Sequence, residues 1–122
     1  MAKGIDLKLD KAWSKIVKLR AGNKCEKCEK TAHLNSHHVI GRRNRATRWN
    51  ISNGCCLCCG CHTFNSMFSA HQTPTIFSNW IINKRGEEWH EDLVQMANTI
   101  KKWKKADKQE LLNQFNEKFK GE

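Results

Sequence analysis

The spacing of apolar side chains predicts helices at both ends of the chain and a non-helical segment between them. An N-terminal helix is indicated by four apolar residues that recur at helical intervals between lysines, namely Leu9, Trp13, Ile16 and Val17. Gly22 is placed to end this helix. Residues 25–62 lack helical periodicity and are rich in Gly and Asn, so hairpins and loops are predicted there.

Three further helices are predicted in the C-terminal part. Thr73 has the character of an N-cap with Pro74 at the first helical position, and Gly86 would end that helix. The strongest amphipathic stripe follows, and its members are Trp89, Leu93, Met96, Ala97, Ile100 and Trp103. Asp107 and Glu110 have the spacing of a capping box for the last helix, which is expected to dock loosely or to serve as an interaction arm.

The positive charge lies mostly in the first half of the chain. Lys and Arg number 22 against 12 Asp and Glu, for a formal net charge of +10. Residues 1–54 carry 13 basic and 4 acidic side chains, a surplus of 9, whereas residues 55–122 carry 9 and 8. This asymmetry favours a polyanionic partner, because neutralising phosphates releases condensed counterions. A solvated basic face without a partner is the alternative.

Length and composition indicate one small domain in the cytoplasm. A chain of 122 residues buries only about two thirds of the surface that its unfolded form exposes, so its core is small. No apolar stretch approaches the roughly 20 residues that span a bilayer, and residues 1–6 lack the apolar run of a secretory signal. We therefore expect no membrane association and a reducing environment for the seven cysteines.

The cysteine spacing predicts a structural metal site. Cys25 and Cys28 form one C-x-x-C pair, and Cys58 and Cys61 form another. Two such pairs suit a tetrahedral Zn²⁺ bound by four thiolates, and a zinc site would compensate for a small core. A redox pair is the alternative, but it normally accompanies a βαβ pattern, which this sequence lacks. The register of the second pair stays open, since two other pairs share its spacing: Cys55 with Cys58, and Cys56 with Cys59.

Residues between the two pairs have the types that phosphodiester hydrolysis requires. His37 and His38 are adjacent, and neighbours on a strand point to opposite faces. One of them can bind a cation while the other acts as a base on water, and an Asn carbonyl such as that of Asn53 can orient the base. Four arginines between His38 and Asn53 suit DNA phosphates, with a merely solvated loop as the alternative: Arg42, Arg43, Arg45 and Arg48.

This combination resembles the zinc-bearing HNH (ββα-metal) endonucleases. The resemblance rests on the first C-x-x-C pair, on His37-His38-Val39-Ile40, and on Asn53 followed at the family's spacing by Cys58, Cys61 and His62. It implies that Cys58 and Cys61 complete the zinc site, which leaves three other thiols as buried or incidental, namely Cys55, Cys56 and Cys59.

The same resemblance implies roles for the polar residues. His38 would be the general base, oriented by Asn53, and His37 and His62 would bind the catalytic divalent ion, usually Mg²⁺ or Mn²⁺. The resemblance leaves the third metal-side residue open. Ser66 is a poor ligand, and the remaining candidates are Asn65 and His71.

A closer resemblance, to the phage lambda NinG (Rap) recombination proteins, runs from Cys25 to about Ala97, which is about 60 % of the chain. It rests on Ala46-Thr47-Arg48-Trp49-Asn50 and on Ile81-Ile82 followed by Gly86-Glu87-Glu88 and Leu93. It implies action on branched DNA. The sequence departs from that family at His37, where those proteins tend to have Gly, and at His62, where they tend to have Asn. Both changes move the site towards ordinary HNH metal binding.

Together these features predict an α+β fold in one domain. A ββα-metal core at 23–72 would contain the zinc site of four cysteines, flanked by a basic N-terminal helix at 1–22 and a helical extension at 73–122. The expected function is metal-dependent cleavage of double-stranded or branched DNA, with a homodimer as one alternative for its assembly. Two other functions stay open: a zinc module that binds nucleic acid without cutting it, and an adaptor that presents its Trp-rich helices to another protein.

Overall fold

The structure is a computed structural model that describes residues 4–120, so the outer ends of the predicted segments 1–22 and 73–122 lie outside the described residues. It confirms a mixed α+β fold, in which helices surround a two-stranded antiparallel sheet. The α-helices are α1 (Gly4–Arg20), α2 (Pro74–Arg85), α3 (Glu87–Ala97) and α4 (Lys105–Lys120), and the strands are β1 (Leu34–His38) and β2 (Gly54–Cys58). Among the described residues, no helix is both long and apolar enough to cross a membrane.

The first helix lies where the apolar periodicity predicts it. Its apolar face is buried, with Leu9 and Trp13 at 0 % and 1 % exposure, and the chain leaves the helix through Gly22, whose φ of 73° favours glycine. This face packs on one side of the sheet, against Cys56 of β2. Helix α1 therefore covers one face of the sheet.

The register of the two strands decides which face each β1 side chain occupies. His37 pairs with Cys55, and His38 pairs with Gly54. Directly opposed residues of an antiparallel pair share a face. The His38 face therefore turns towards α1, and the His37 face turns towards α2, where Leu57 and Phe77 are buried in a second core cluster.

Helix α2 begins at Pro74 and is followed by Gly86, as predicted. The hydroxyl of Thr73, however, does not cap the helix. It accepts a hydrogen bond from the Ser69 backbone N–H and donates one to the Ser69 carbonyl, each at 2.9 Å. Thr73 thus closes the loop that precedes α2.

The predicted amphipathic stripe from Trp89 to Trp103 does not form one helix. Helix α3 ends at Ala97, Ile100 is 90 % exposed, and the chain has no regular secondary structure from there to Lys104. Trp103 instead packs edge-to-face on Trp49 with ring centroids 5.2 Å apart, and its Nε1 donates to the Arg45 carbonyl. The position of Trp103 is therefore set by its contacts with the loop that contains Arg45 and Trp49, and the helical spacing of apolar residues does not predict it.

The last helix begins earlier than predicted and is not loosely docked. Helix α4 starts at Lys105, and the Asp107 carboxylate accepts a hydrogen bond from the Lys104 backbone N–H at 3.0 Å. Asp107 therefore satisfies the helix start from its first turn and does not act as the N-cap itself. Phe115 is buried against α1, and Lys108 forms an ion pair with Asp6 at 2.9 Å.

The contact between Gly54 and α1 generates a stability prediction. A Cβ at Gly54 would collide with Val17 and would lie 3.0 Å from the Trp13 ring, whereas a Cβ at Gly41 would meet no atom within 4 Å. Gly54→Ala is expected to lower the free energy of unfolding by about 1–3 kcal/mol, and Gly41→Ala is expected to leave it unchanged or slightly raised. Urea denaturation of the two purified variants measures the difference. Equal stabilities would contradict the close packing of α1 on β2.

Candidate functional site

Four cysteines converge at one end of the sheet and could hold a metal ion such as zinc. The sulfur atoms of Cys25, Cys28, Cys58 and Cys61 all lie within 4.8 Å of one another, and Cys28 Sγ is 3.5 Å from Cys58 Sγ. Four sulfurs at about 2.3 Å from a tetrahedral zinc are roughly 3.8 Å apart, so this cluster has the right size and donor type. The structure thus brings together the four cysteines that the sequence predicts as ligands, in a cluster that could bind zinc.

Backbone amides in both C-x-x-C turns point at the sulfurs. The Cys28 N–H donates to Cys25 Sγ, and the Cys61 N–H donates to Cys58 Sγ, each at 3.5 Å. Burial alone would raise the pKa of Cys25, but the backbone hydrogen bonds from Cys28, Cys58 and Lys27 outweigh it and lower that pKa to about 7. The first turn therefore favours the thiolate form of Cys25, which is the form that binds a metal, whereas burial raises the pKa of Cys28 and the pKa of Cys61.

The structure selects the register that sequence spacing leaves open. Cys55 and Cys56 are fully buried in the two core clusters on opposite sides of the sheet, and Cys59 is half-buried. Burial and the nearby Glu26 carboxylate raise the pKa of Cys56 to about 11. These three thiols lie outside the cysteine cluster.

Glu26, within the first C-x-x-C pair, connects the cysteine cluster to α2. Its carboxylate accepts hydrogen bonds from the Cys56 backbone N–H at 2.7 Å and from the Arg85 guanidinium at 3.0 and 3.2 Å. Burial would raise the pKa of Glu26, but the Cys56 amide and Arg85 outweigh it and lower the pKa. The first cysteine turn is thereby fixed against both the sheet and the end of α2.

Three histidines form a second group with metal-ligand geometry. His62 Nε2 lies 3.1 Å from His37 Nδ1 and 3.1 Å from His71 Nε2. Tetrahedral nitrogens at about 2.0–2.1 Å from a metal are roughly 3.3 Å apart, so a single ion fits among these three atoms. The sequence left the third ligand open between Asn65 and His71. His71 joins the group, whereas Asn65 Oδ1 accepts from the Met67 backbone N–H at 2.8 Å.

Helical spacing could not have located His71. Its position depends on the loop after the short π-helical turn Gly60–Phe64, where the His71 N–H donates to the His62 carbonyl at 3.0 Å. That backbone contact returns the chain to His62 after nine residues. The only signal in the sequence was that His71 follows His62 within a few residues.

The chemistry of the histidine group differs from what a magnesium site requires. Burial, followed by the neighbouring His62 and His71 imidazoles, lowers the pKa of His37 to about 3, so this ring is neutral. Mg²⁺ prefers six oxygen ligands, whereas neutral imidazoles suit transition metals. The expectation of Mg²⁺ at His37 and His62 therefore does not fit the donor set, and Mn²⁺ or another first-row ion fits it better.

His38 lies on the opposite face of β1 and is held by two contacts. Its ring stacks on Trp13 of α1, with centroids 3.9 Å apart and planes 10° apart. Its Nε2 is 2.9 Å from the Arg48 carbonyl, and because a carbonyl only accepts, Nε2 carries the hydrogen. Burial is the main cause that lowers the pKa of His38. The ring is thus neutral, and its Nδ1 is left as the proton acceptor.

The predicted contact between Asn53 and His38 is wrong. Asn53 is fully buried, and its side-chain carbonyl accepts from the Ile40 N–H at 2.7 Å. Its amide donates to the carbonyls of Ile40 and Thr47 at 2.8 and 3.2 Å. Asn53 therefore stabilises the loop after β1, and that loop places the Arg48 carbonyl beside His38. Its influence on the imidazole is indirect, because the side chain is committed to backbone groups.

Arg48 also differs from its predicted role as a DNA contact. Its guanidinium forms a paired hydrogen bond with the Asp10 carboxylate, at 3.1 and 2.8 Å, and Asp10 also accepts from Trp49 Nε1 at 2.8 Å. Burial would raise the pKa of Asp10, but the hydrogen bonds from Arg48 and Trp49 outweigh it and lower the pKa. Arg48 is thus committed to α1, where it fixes the carbonyl that orients His38.

The other three arginines are exposed, and a lysine-rich segment lies beside them. Arg42, Arg43 and Arg45 are exposed. The segment after α3 is tied to their loop by Trp103 and by the Asn44 amide, which donates to the Ala97 carbonyl at 2.8 Å. This segment contributes further exposed cations that the sequence did not assign to the site: Lys101, Lys102, Lys104 and Lys105.

A single cleft of about 640 Å³ brings the histidines together. It is lined by all three histidines of the group, by His38 and by Arg42. The base candidate, the candidate ion site and one exposed arginine therefore face the same solvent-filled space. This arrangement allows one bound molecule to contact all of them.

Comparison of the chain with models of protein families, with curated proteins and with solved structures found no match. The resemblance to HNH endonucleases therefore rests on the motif residues.

The cysteine cluster predicts that adjacent residues respond very differently to the same substitution. Cys58→Ser should abolish stoichiometric zinc and unfold the domain, because a structural zinc of this kind supplies about 10–16 kcal/mol of apparent binding energy. Cys59→Ser, one residue later, should retain zinc and the folded state, because its sulfur lies outside the cluster. Elemental analysis and circular dichroism of the purified variants test this. Zinc retained by Cys58→Ser would rule out this ligand set.

Proposed function

We propose that this protein is a metal-dependent endonuclease of the HNH type that hydrolyses DNA phosphodiester bonds. The observation that carries the proposal is the shared cleft: His38, with a free Nδ1, opens onto the same space as His37, His62 and His71. A positioned base beside a cation site is the pair of groups that phosphodiester hydrolysis needs. A zinc module that only binds nucleic acid has no use for the second group.

In the proposed mechanism, His38 removes a proton from the attacking water. The Arg48 carbonyl holds the Nε2 hydrogen, and the stacked Trp13 ring prevents rotation, so Nδ1 keeps one direction. Proton uptake at Nδ1 yields an imidazolium whose Nε2–H still donates to the same carbonyl. The hydroxide then attacks phosphorus, the phosphorus–oxygen bond to the leaving group breaks, and the leaving oxygen takes up a proton from solvent.

The ion held by the three histidines would stabilise the charge that develops on the phosphate and on the leaving oxygen. Three neutral imidazoles leave the full charge of a divalent cation uncompensated, which favours an anionic substrate. His37 and His71 contact His62 from two sides, and Phe77 packs edge-to-face on His37 with ring centroids 5.2 Å apart. The ligand rings are thereby held in position by the α2 side of the fold.

DNA as the substrate is supported by the charge around the cleft. Arg42 lines it, and the adjacent exposed lysines extend the positive surface beyond the arginine loop. None of the ion pairs within residues 4–120 involves Arg42, Arg43, Lys101 or Lys102. These cations are available for phosphates, which bind Arg and Lys without reading base sequence.

Removing the proposed base or a proposed ligand should stop cleavage in distinguishable ways. His38→Ala is expected to slow cleavage by about 10²–10⁴-fold while leaving Mn²⁺ affinity unchanged. His71→Ala is expected to weaken Mn²⁺ binding by more than about 10-fold, so that excess Mn²⁺ restores part of its activity. Plasmid and four-way-junction DNA are the substrates, and calorimetric titration of the zinc-loaded protein gives the metal affinity.

The matched control is His90→Ala, which removes a histidine of α3 that lies outside the cleft. It should cut at the wild-type rate. If the wild-type protein binds DNA but cuts no substrate with Mn²⁺, the non-catalytic zinc module is the correct function. If His38→Ala cuts as fast as wild type, the assignment of the base is wrong.

The salt dependence of DNA binding tests the positive surface. In a His38→Ala background that leaves DNA intact, replacing Arg42 and Arg43 with Ala should reduce the slope of log affinity against log salt by about 0.9 for each phosphate that the protein no longer neutralises. Replacing Lys101 and Lys102 should have a similar effect. Affinity should fall to the same extent for unrelated DNA sequences, because these side chains supply charge but read no base.

The control for this experiment is a pair of exposed lysines on α1, Lys8 and Lys11. Their replacement with Ala should leave the slope close to that of the parent. A slope that falls only with the α1 pair would move the DNA path to that helix and would contradict the proposed surface.

A further inference from the structure

The loop between two of the candidate metal ligands exposes large apolar side chains. Phe64 is 71 % exposed and Met67 is 81 % exposed, and both lie between His62 and His71. Exposed apolar residues scattered singly are common on proteins. Here two of them occupy one short loop whose ends are fixed at the candidate ion site, so their position calls for a specific explanation.

Polar side chains within and just after this loop hydrogen-bond to its backbone. Gln72 Nε2 donates to the Thr63 and Phe64 carbonyls at 2.8 and 3.1 Å. Asn65 Oδ1 accepts from the Met67 and Phe68 backbone N–H groups at 2.8 and 3.3 Å. The polar side chains of the loop thus bind its own backbone, and the apolar side chains are left to face outward. A rigid display of this kind reduces the entropy cost when the apolar groups insert into a partner.

The loop directly follows one candidate metal ligand along the chain. Phe64 follows His62 by two residues, so their Cα atoms are at most about 7 Å apart. Successive nucleotides of a duplex strand are about 3.4 Å apart along the axis. A phosphodiester held at the histidine group therefore has its neighbouring base steps within reach of the loop.

On the basis of the proposed nuclease function, we propose that Phe64 and Met67 form a wedge that enters the base stack of the bound DNA beside the scissile phosphate. Base faces are apolar, and proteins that insert Phe, Leu or Met between base pairs locally unstack and kink the duplex. The preferred substrate is then DNA whose bases are already unstacked at the cleavage site, because its distortion costs less free energy.

The charge of the surroundings argues for nucleic acid and against an apolar protein surface as the partner. Arg42 lines the cleft that His62 and His71 share, and the chain carries a net charge of +10. A second copy of the same positive surface would be repelled, whereas phosphates on either side of a base step would be attracted. Apolar side chains surrounded by positive charge therefore match DNA, in which apolar base faces lie between negative phosphates.

The test combines fluorescence with cleavage. Short duplexes carrying 2-aminopurine at successive positions report unstacking as a rise in fluorescence when they bind the His38→Ala protein, which leaves them intact. Adding Phe64→Ala and Met67→Ala should remove that rise. With active protein, the same pair of substitutions should slow cleavage of fully paired DNA by about 10- to 100-fold and should slow cleavage of a bulged duplex much less. Phe64→Leu, which keeps an apolar tip, should retain most of the effect.

The matched control is Leu7→Ala, which removes an apolar side chain that is 50 % exposed on α1. It should change neither readout. If the parent protein raises no fluorescence at any probe position, or if cleavage of both substrates slows by the same factor, the wedge is wrong even when cleavage occurs. If fluorescence rises and the wild-type protein cuts nothing, the wedge stands and the nuclease function fails. A dimer that dissociates on Phe64→Ala would assign the loop to self-association and would overturn the proposal.

Discussion

The register of the two-stranded sheet is the constraint on which the rest of the site depends. A slip of one residue would exchange the faces of His37 and His38, because side chains alternate along a strand. Two strands alone are only marginally stable in water. Here the cysteine cluster contains Cys58, which pairs with Leu34 at one end of the sheet. At the other end, Gly54 has no side chain, so α1 packs directly against its backbone. The register is thus fixed at both ends, and each histidine keeps its face.

The two faces of β1 supply different chemical environments from adjacent residues. On the α2 side, His37 meets two other imidazoles, and the burial of His37 together with these neighbouring rings lowers its pKa and favours the neutral form that binds a metal. On the α1 side, His38 lies between an indole ring and a backbone carbonyl, which leaves one nitrogen for proton transfer. A sheet of two short strands can place adjacent residues in different environments, and in the proposed function this would keep the base from binding the ion.

The orientation of His38 depends on a series of contacts that begins on the first helix. Asp10 holds the Arg48 guanidinium, and Asn53 closes the loop that carries the Arg48 carbonyl. Each contact uses a charged or amide side chain against a group that would otherwise be buried without a partner, and removing one partner would leave the other unsatisfied. Arg42, Arg43 and Arg45 are exposed and take part in none of the ion pairs of the described residues, which distinguishes them from the structural Arg48.

The sequence by itself determined the local features of this protein. Helical periodicity located α1. The C-x-x-C spacing, together with the family resemblance, identified the four cysteines of the cluster. The adjacency of two histidines on a strand indicated that they face opposite sides of the sheet. These are short-range properties of the chain. Tertiary structure alone decided the rest: His71 as the third member of the histidine group, Arg48 as a partner of Asp10, and the end of α3 before Ile100. Each of those outcomes depends on a contact between residues distant in sequence or on a turn of irregular backbone, and neither leaves a periodic pattern in the chain.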